Sequence, residues 1–373
     1  MSSIYDELYR RRVSRHQPTV VEGRRRDFSA ERISLVGGVA ITAAGVLQMG
    51  EGLPEEAPLA TPCPLFTNAQ GFPRLVKPIS TVASSERHLG IEGRLSAVWD
   101  FLASSLDALI RQLPDDDSVD LVVTLPDTVS PRLQQSLQRR IIEQLKKHRV
   151  WQEGQSHCTV GSAHTLNALL APDTTAGGLR WVFWCCIDSL LDDGQLHRWD
   201  ERFSKRSPVI AGEGGALMLF ERAAPEAAPS KGLFWVKSAC QPHASSSPAV
   251  KQARTAALKT LIANVLPAPS SEQRDGDASD APPWCIMDMG EGERASDAFK
   301  VLFDRWPGVY EPLVNCYTLD HFCGCVGDAS LGLSLMMAAA AMQENDSAML
   351  LTLSETDVST VTLLTSVDRV SQA

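Results

Sequence analysis

Residues 180–187 read RWVFWCCI, and residues 211–220 read AGEGGALMLF. The first run is apolar at every position after Arg180, and its large side chains, Trp181, Phe183 and Trp184, fall on both faces of an extended chain. A strand apolar on both faces is one covered by other structure on both sides, as in an α/β sheet packed between helices. The second run opens with Gly212, Glu213, Gly214 and Gly215, which reads as a tight turn into another buried strand over 215–220.

The same alternation extends outward in both directions. Upstream, residues 91–113 carry Leu95, Trp99, Leu102, Leu106 and Ile110 at steps of three and four, the period of an amphipathic helix closed by Pro114. Residues 119–125 form a continuous apolar strand, 133–145 a further helix, and 33–41 an opening strand rich in Ile, Val and Gly. Residues 50–80 are rich in proline and read as irregular. Downstream come a helix over 164–170 and a strand over 233–238, joined to its predecessor by a hairpin loop at 221–231. Then follow a helix at 250–265, a strand at 284–287, a helix at 296–303, an Ala- and Met-rich helix at 329–342, and a closing strand pair at 348–353 and 360–365. Strand–helix alternation in both halves predicts an α/β fold.

Composition bounds the function. The chain has 373 residues, 44% hydrophobic and 21% charged, which is globular and long enough for two domains or one doubled fold. A net charge of −10 excludes a whole-protein footprint for nucleic acid. Residues 1–31 read as a polar, Arg-rich leader, with an acidic low-complexity loop expected at 267–283. The nine cysteines contain no CxxC pair, so neither a disulfide framework nor a zinc knuckle is expected, and a reducing cytoplasm is the simplest location. No stretch reaches the ~20 apolar residues of a membrane span, and no early apolar signal segment is seen.

Six segments in order resemble the thiolase superfamily, and within it the β-ketoacyl synthases. They are 33–45 (ISLVGGVAITAAG), 158–170 (CTVGSAHTLNALL), 181–190 (WVFWCCIDSL), 211–220, 288–293 (DMGEGE) and 327–342 (GDASLGLSLMMAAAAM). The resemblance implies a thiolase-like fold, with duplicated βαβαβ halves in a five-layered αβαβα arrangement. The halves would be residues 32–230 and 231–373.

Such enzymes use a Cys at a helix N-terminus and two His, or a His and an Asn, to polarise a thioester carbonyl. The candidates here are Cys158, His164 and His321. Matching Ala163-His164 to the usual Ala-His places Thr159 at the nucleophile, whereas matching Cys158 needs one extra residue. At the two His turns the resemblance places Met289 and Gly324, and His321 lies three residues from the second. Methionine cannot transfer a proton. Only 36 positions separate Val122 from Cys158, a shortened stretch where the enzymes build dimer contact and acyl pocket.

Other chemistry is thin. Ser189, Asp188 and His197 lack a Gly-x-Ser-x-Gly elbow. His321, Cys323 and Cys325 lack a fourth ligand, so no metal is expected, and no phosphate-loop motif calls for a cofactor. The expected reading is a catalytically inactive scaffold. Residues 68–75 (NAQGFPRL), 187–190 (IDSL) and 290–295 (GEGERA) are similar to one bacterial group of ketoacyl-synthase-like proteins beside type VI secretion genes. That likeness implies a protein partner, a secreted effector or spike component. Two alternatives stand: an active synthase or acyltransferase with a shifted Cys nucleophile, and a silent subunit paired with a homologous synthase subunit.

Overall fold

A computed structural model describes residues 33–68, 70–83, 90–114, 117–126, 128–160, 180–203, 210–222, 234–242, 249–266, 281–290, 293–343, 346–353 and 358–366. The first half of the chain runs β1 (Ile33–Thr42), β2 (Gly45–Gln48), β3 (Thr61–Thr67), β4 (Pro73–Lys77), α1 (Ser80–Ala83), α2 (Ile91–Ala103), α3 (Leu106–Ile110), β5 (Val119–Thr124), α4 (Pro131–Lys147), β6 (Cys158–Val160), β7 (Trp181–Ser189), α5 (Asp193–Phe203) and β8 (Ala211–Arg222). The second half runs β9 (Phe234–Pro242), α6 (Ala249–Val265), β10 (Trp284–Met287), α7 (Glu293–Arg305), β11 (Cys316–Thr318), α8 (Leu319–Cys323), α9 (Ser330–Ala341), β12 (Ser347–Thr352) and β13 (Val358–Ser366).

The strand order is β11-β10-β12-β13-β9-β1-β8-β7-β5-β6. Set aside the short β2 and the β3–β4 hairpin, and number the remaining strands of each half by appearance. Both halves then read third, second, fourth, fifth, first. In both, the fifth strand is the antiparallel one: β8 runs against β7 and β1, and β13 against β12 and β9. The halves are therefore one topology used twice. They meet where Ile33–Leu35 of β1 pairs antiparallel with Val236–Phe234 of β9.

Among the described residues most of the core sits in three layers of side chains, with a smaller cluster around Val76, Leu190 and Leu196. Between the halves, α9 is buried at all 12 positions. Its Leu, Met and Ala side chains pack with Trp184, Met218 and Phe220 of one half and with Ile286, Leu350 and Leu364 of the other. A helix apolar all round belongs in a central layer. The outer face of the first half packs Leu121, Phe183 and Leu219 against α2 and α4. In α4 the sequence states its own ends. Ser130 accepts from Leu133 N as N-cap, Pro131 takes the first turn, Lys146 and Lys147 close the helix, and Leu133, Leu137, Ile141 and Leu145 form the buried stripe. The outer face of the second half packs Met349 and Val361 against α6 and α7. Helices thus lie outside each half and between them.

Four sequence expectations change. The run 211–215 is not a turn: it is the start of β8 and fully buried. Residues 221–231 do not close a hairpin, because β1 lies between β8 and β9. The helix expected over 91–113 breaks at Ser104 and Ser105 into α2 and α3. The proline-rich 50–80 region contains the β3–β4 hairpin, with β4 running parallel to β8.

Candidate functional site

Parts of four of the segments singled out in the sequence (181–190, 211–220, 288–290 and 327–342) converge where the two halves meet. Gly212 N donates to Cys325 O and Cys325 N to Ile210 O, so the start of β8 runs beside the segment after α8. A Cβ at Gly212 would overlap the Cys323 carbonyl, so glycine is required there for close approach rather than for a turn. The carboxylate of Asp188, at the end of β7, accepts from Ser189 N at 2.6 Å and from Asp328 N at 2.7 Å. It thereby holds the Gly327–Ala329 turn that leads into α9. Gly327 has φ +56°, and a side chain there would run into Asp188.

Below this contact lies a buried ion pair. Glu213, with no exposed surface, accepts from Arg94 Nη1 at 2.9 Å, Ser189 Oγ at 3.0 Å and Ile79 N at 3.0 Å. Three donors, from α2, from β7 and from the link between β4 and α1, satisfy the carboxylate, as an interior charge requires. Lys77, on the adjacent β4, is also buried and donates to the backbone carbonyls of Asp320 (3.4 Å) and His321. Burial lowers its pKa, with the Cys323 thiol and Asp320 acting in the opposite direction. Asp320 in turn accepts from Gly290 N at 2.9 Å, tying the 288–290 turn to α8.

The two positions that the resemblance gives to proton-handling histidines hold Met289 and Gly324. Met289 is half-buried and packs on the outer core of the second half. Gly324 has φ +72°, and a Cβ there would lie 2.8 Å from the Ile210 carbonyl oxygen. That position accepts no imidazole as the backbone stands.

The remaining candidates are scattered. Cys158 lies in β6 and packs on the outer face of the first half, beside α4. Burial pushes its thiol up to about 11, against a smaller opposing hydrogen bond from Gln138. Thr159 is exposed on the same strand. His164 lies outside the described residues. His321 is exposed on α8, edge-on to Phe322 with centroids 5.4 Å apart, and lines a surface cleft of about 410 Å³. The structure therefore does not bring Cys158 and His321 together: one is on the outer face of the first half, the other on α8 of the second. Ser189 is fully buried with its hydroxyl on Glu213, while His197 is exposed on α5. Cys323 is buried, and its thiol is raised well above the usual range by burial. Among the described residues, no three His, Cys, Asp or Glu side chains are placed to share a metal ion. Nor is any described helix long and apolar enough to cross a membrane.

Residues 68–75 lie elsewhere, at the tip of the β3–β4 hairpin. Asn68 Oδ1 accepts from Gln70 N and Phe72 N, both at 3.0 Å, and Gly71 takes φ +79°. This Asx-type turn holds Phe72 outward, 67% exposed, with Leu65 and Leu75 also exposed beside it.

No family model matches the chain, and no curated protein matches it. Solved structures do. The ishigamide ketosynthase/chain length factor aligns at 14% identity with a TM-score of 0.54, over 90% of this chain and 99% of that one. The AntDE:AntF complex, a type II polyketide-synthase acyl-carrier protein with its ketosynthase, aligns at 12% identity and a TM-score of 0.59, over 91% and 100%. A cerulenin-bound OleA of Xanthomonas campestris aligns at 12% identity and 0.47, over 90% and 97%. With the repeated strand order, the first two likenesses give the class: this chain has the thiolase-like fold of the ketosynthases.

Proposed function

We propose that this chain is a non-catalytic thiolase-like scaffold that acts through protein contacts. The observation that carries the reading is position 324, where the backbone excludes the imidazole the chemistry requires. Met289 at the companion position and a Cys158 thiol raised to about 11 on an outer face add support. A thiol held neutral is a poor nucleophile. The exposed Phe72 hairpin offers a contact surface, and the likeness of residues 68–75 to proteins beside type VI secretion genes points to a secreted effector or spike component as partner.

Incubation with acyl-CoA and acyl-carrier-protein thioesters, followed by intact-mass spectrometry beside a working synthase, tests the first half of this reading. The expected result is no mass gain. An adduct mapping to Cys158 or Thr159 would overturn it and install the shifted-nucleophile enzyme instead. Cross-linking to a candidate effector tests the second half. Links should concentrate on residues 61–77 and be lost in Phe72→Ser.

A second reading, the silent subunit of a synthase pair, draws on β6. It ends the sheet path, and among the described residues β5 is its one strand neighbour. Co-purification with a Cys- and His-bearing homologue would favour it over the adaptor.

A further inference from the structure

The cleft beside His321 is separate from the junction and has its own chemistry. Its floor is the aromatic run Trp284, Tyr317 and Phe322. Trp284 and Tyr317 stack at 6.1 Å with planes 26° apart, and Tyr317 and Phe322 lie 5.9 Å apart. Both polar aromatics are locked. Trp284 Nε1 donates to Asp346 Oδ2 at 3.1 Å, and Tyr317 Oη donates to Val314 O at 2.9 Å. The opposite wall is the loop after β2, which carries Glu55 into the lining. Gly50 N and Gly52 N fasten this loop to Ala339 O and Ala340 O at the C-terminal end of α9. Ala341, the last residue of that helix, also lines the space.

Two of these features favour a positive charge. Aromatic rings carry negative quadrupole potential on their faces, and Glu55 is the carboxylate in a lining that also holds the imidazole of His321. Among the described residues no Lys or Arg lines the cleft, and the Lys77 ammonium donates to the His321 carbonyl. At the lip, Leu313 takes φ +63°, an unusual conformation for a side chain of its size, and is 55% exposed. The 311–316 turn sustains it: Leu313 N donates to Cys316 O, and Asn315 Oδ1 accepts from Glu311 N at 2.8 Å. Local strain that displays an apolar side chain beside a preformed cavity is a feature of binding sites.

We infer that this cleft binds an organic cation: an ammonium or guanidinium carried on an apolar stem, with the charge between the rings and Glu55 and the stem against Leu313. A free amine and a basic side chain of a peptide present the same chemistry.

Calorimetric titration of the full chain distinguishes them. The probes are phenethylammonium, with phenethyl alcohol as neutral counterpart, and acetyl-Leu-Arg-Leu-amide, with its citrulline analogue. The cation of at least one pair should bind about tenfold tighter than its neutral partner, the size of a cation–π contact joined to a carboxylate. Glu55→Gln, a change on an exposed loop, should weaken that binding about fivefold without altering thermal unfolding, and Tyr317→Leu should weaken it further. Binding of the amine alone assigns a small molecule, and preference for the peptide assigns a protein side chain. Equal binding of charged and neutral probes, no saturable binding below about 10 mM, or indifference to Glu55→Gln would each overturn the inference.

Discussion

At the junction between the halves, the chain's own groups occupy the space. Asp188 takes the room a side chain at Gly327 would need, Glu213 gathers three donors, and the Cys323 carbonyl excludes any Cβ at Gly212. In the cleft beside α8, by contrast, about 410 Å³ stays open and the aromatic side chains Trp284, Tyr317 and Phe322 line it. The two regions are built from neighbouring residues, since Asp320 and His321 sit on one short helix. The difference teaches that room for another molecule and close packing can sit side by side: the cleft beside α8 stays open, and the junction is filled by the chain's own groups.

Perturbing both regions makes the contrast measurable. Gly212→Ala should have the largest effect. Its Cβ meets backbone rather than a flexible side chain, so a loss above about 4 kcal/mol, or no folded protein, is expected in denaturant titrations. Gly52→Ala, which meets nothing within 4 Å but has φ +88°, should cost only about 1 kcal/mol. Comparable losses for the two would erase the distinction between a filled and an open region.

Next comes the buried ion pair. Glu213→Leu strands the Arg94 guanidinium and should cost about 3–5 kcal/mol, whereas adding Arg94→Met should restore much of that loss. A double variant no more stable than the single would mean that Ser189 and Ile79, not the charge, set the value of Glu213.

Cys158 gives a pH test. Its neutral thiol persists until the pH approaches about 11, so the reactive thiolate grows about tenfold per pH unit up to that point. At pH 8 its alkylation, followed by peptide mapping, should be roughly 100-fold slower than that of a thiol with pKa 9. Rapid labelling at pH 7 would reopen the enzymatic reading. The smallest expected effect is on stability at the hairpin tip. Phe72→Ser should change it by no more than about 0.5 kcal/mol while abolishing any contact made there.

Much of the fold was legible in the sequence because its signals are local. The unbroken apolar run at 181–187 and the Ala- and Met-rich α9 could only be interior elements. The misreadings arose where tertiary contact overrides local preference. Three glycines in five residues read as a turn, but at Gly212 glycine serves the passage of another segment in an extended strand. Pro62 and Pro64 argued against strand structure, yet they lie in β3, whose one strand neighbour among the described residues is β4. The pairing of Arg94 with Glu213 spans 119 positions and leaves no spacing signal. The candidate site was legible only in part. Met289 and Gly324 could be read from the resemblance, but the spatial reason a side chain fails at 324 required the backbone of Ile210.

The seam at β1 also has a consequence for synthesis on the ribosome. Ile33–Thr42 emerges early but finds its main partner only when β8, ending at Arg222, has been made, and its second only with β9. At the usual 5–20 residues per second, the strand waits roughly 10–35 s with the four-residue β2 as its one earlier partner among the described strands. A nascent chain holding back so apolar a segment would be a natural client for a ribosome-associated chaperone.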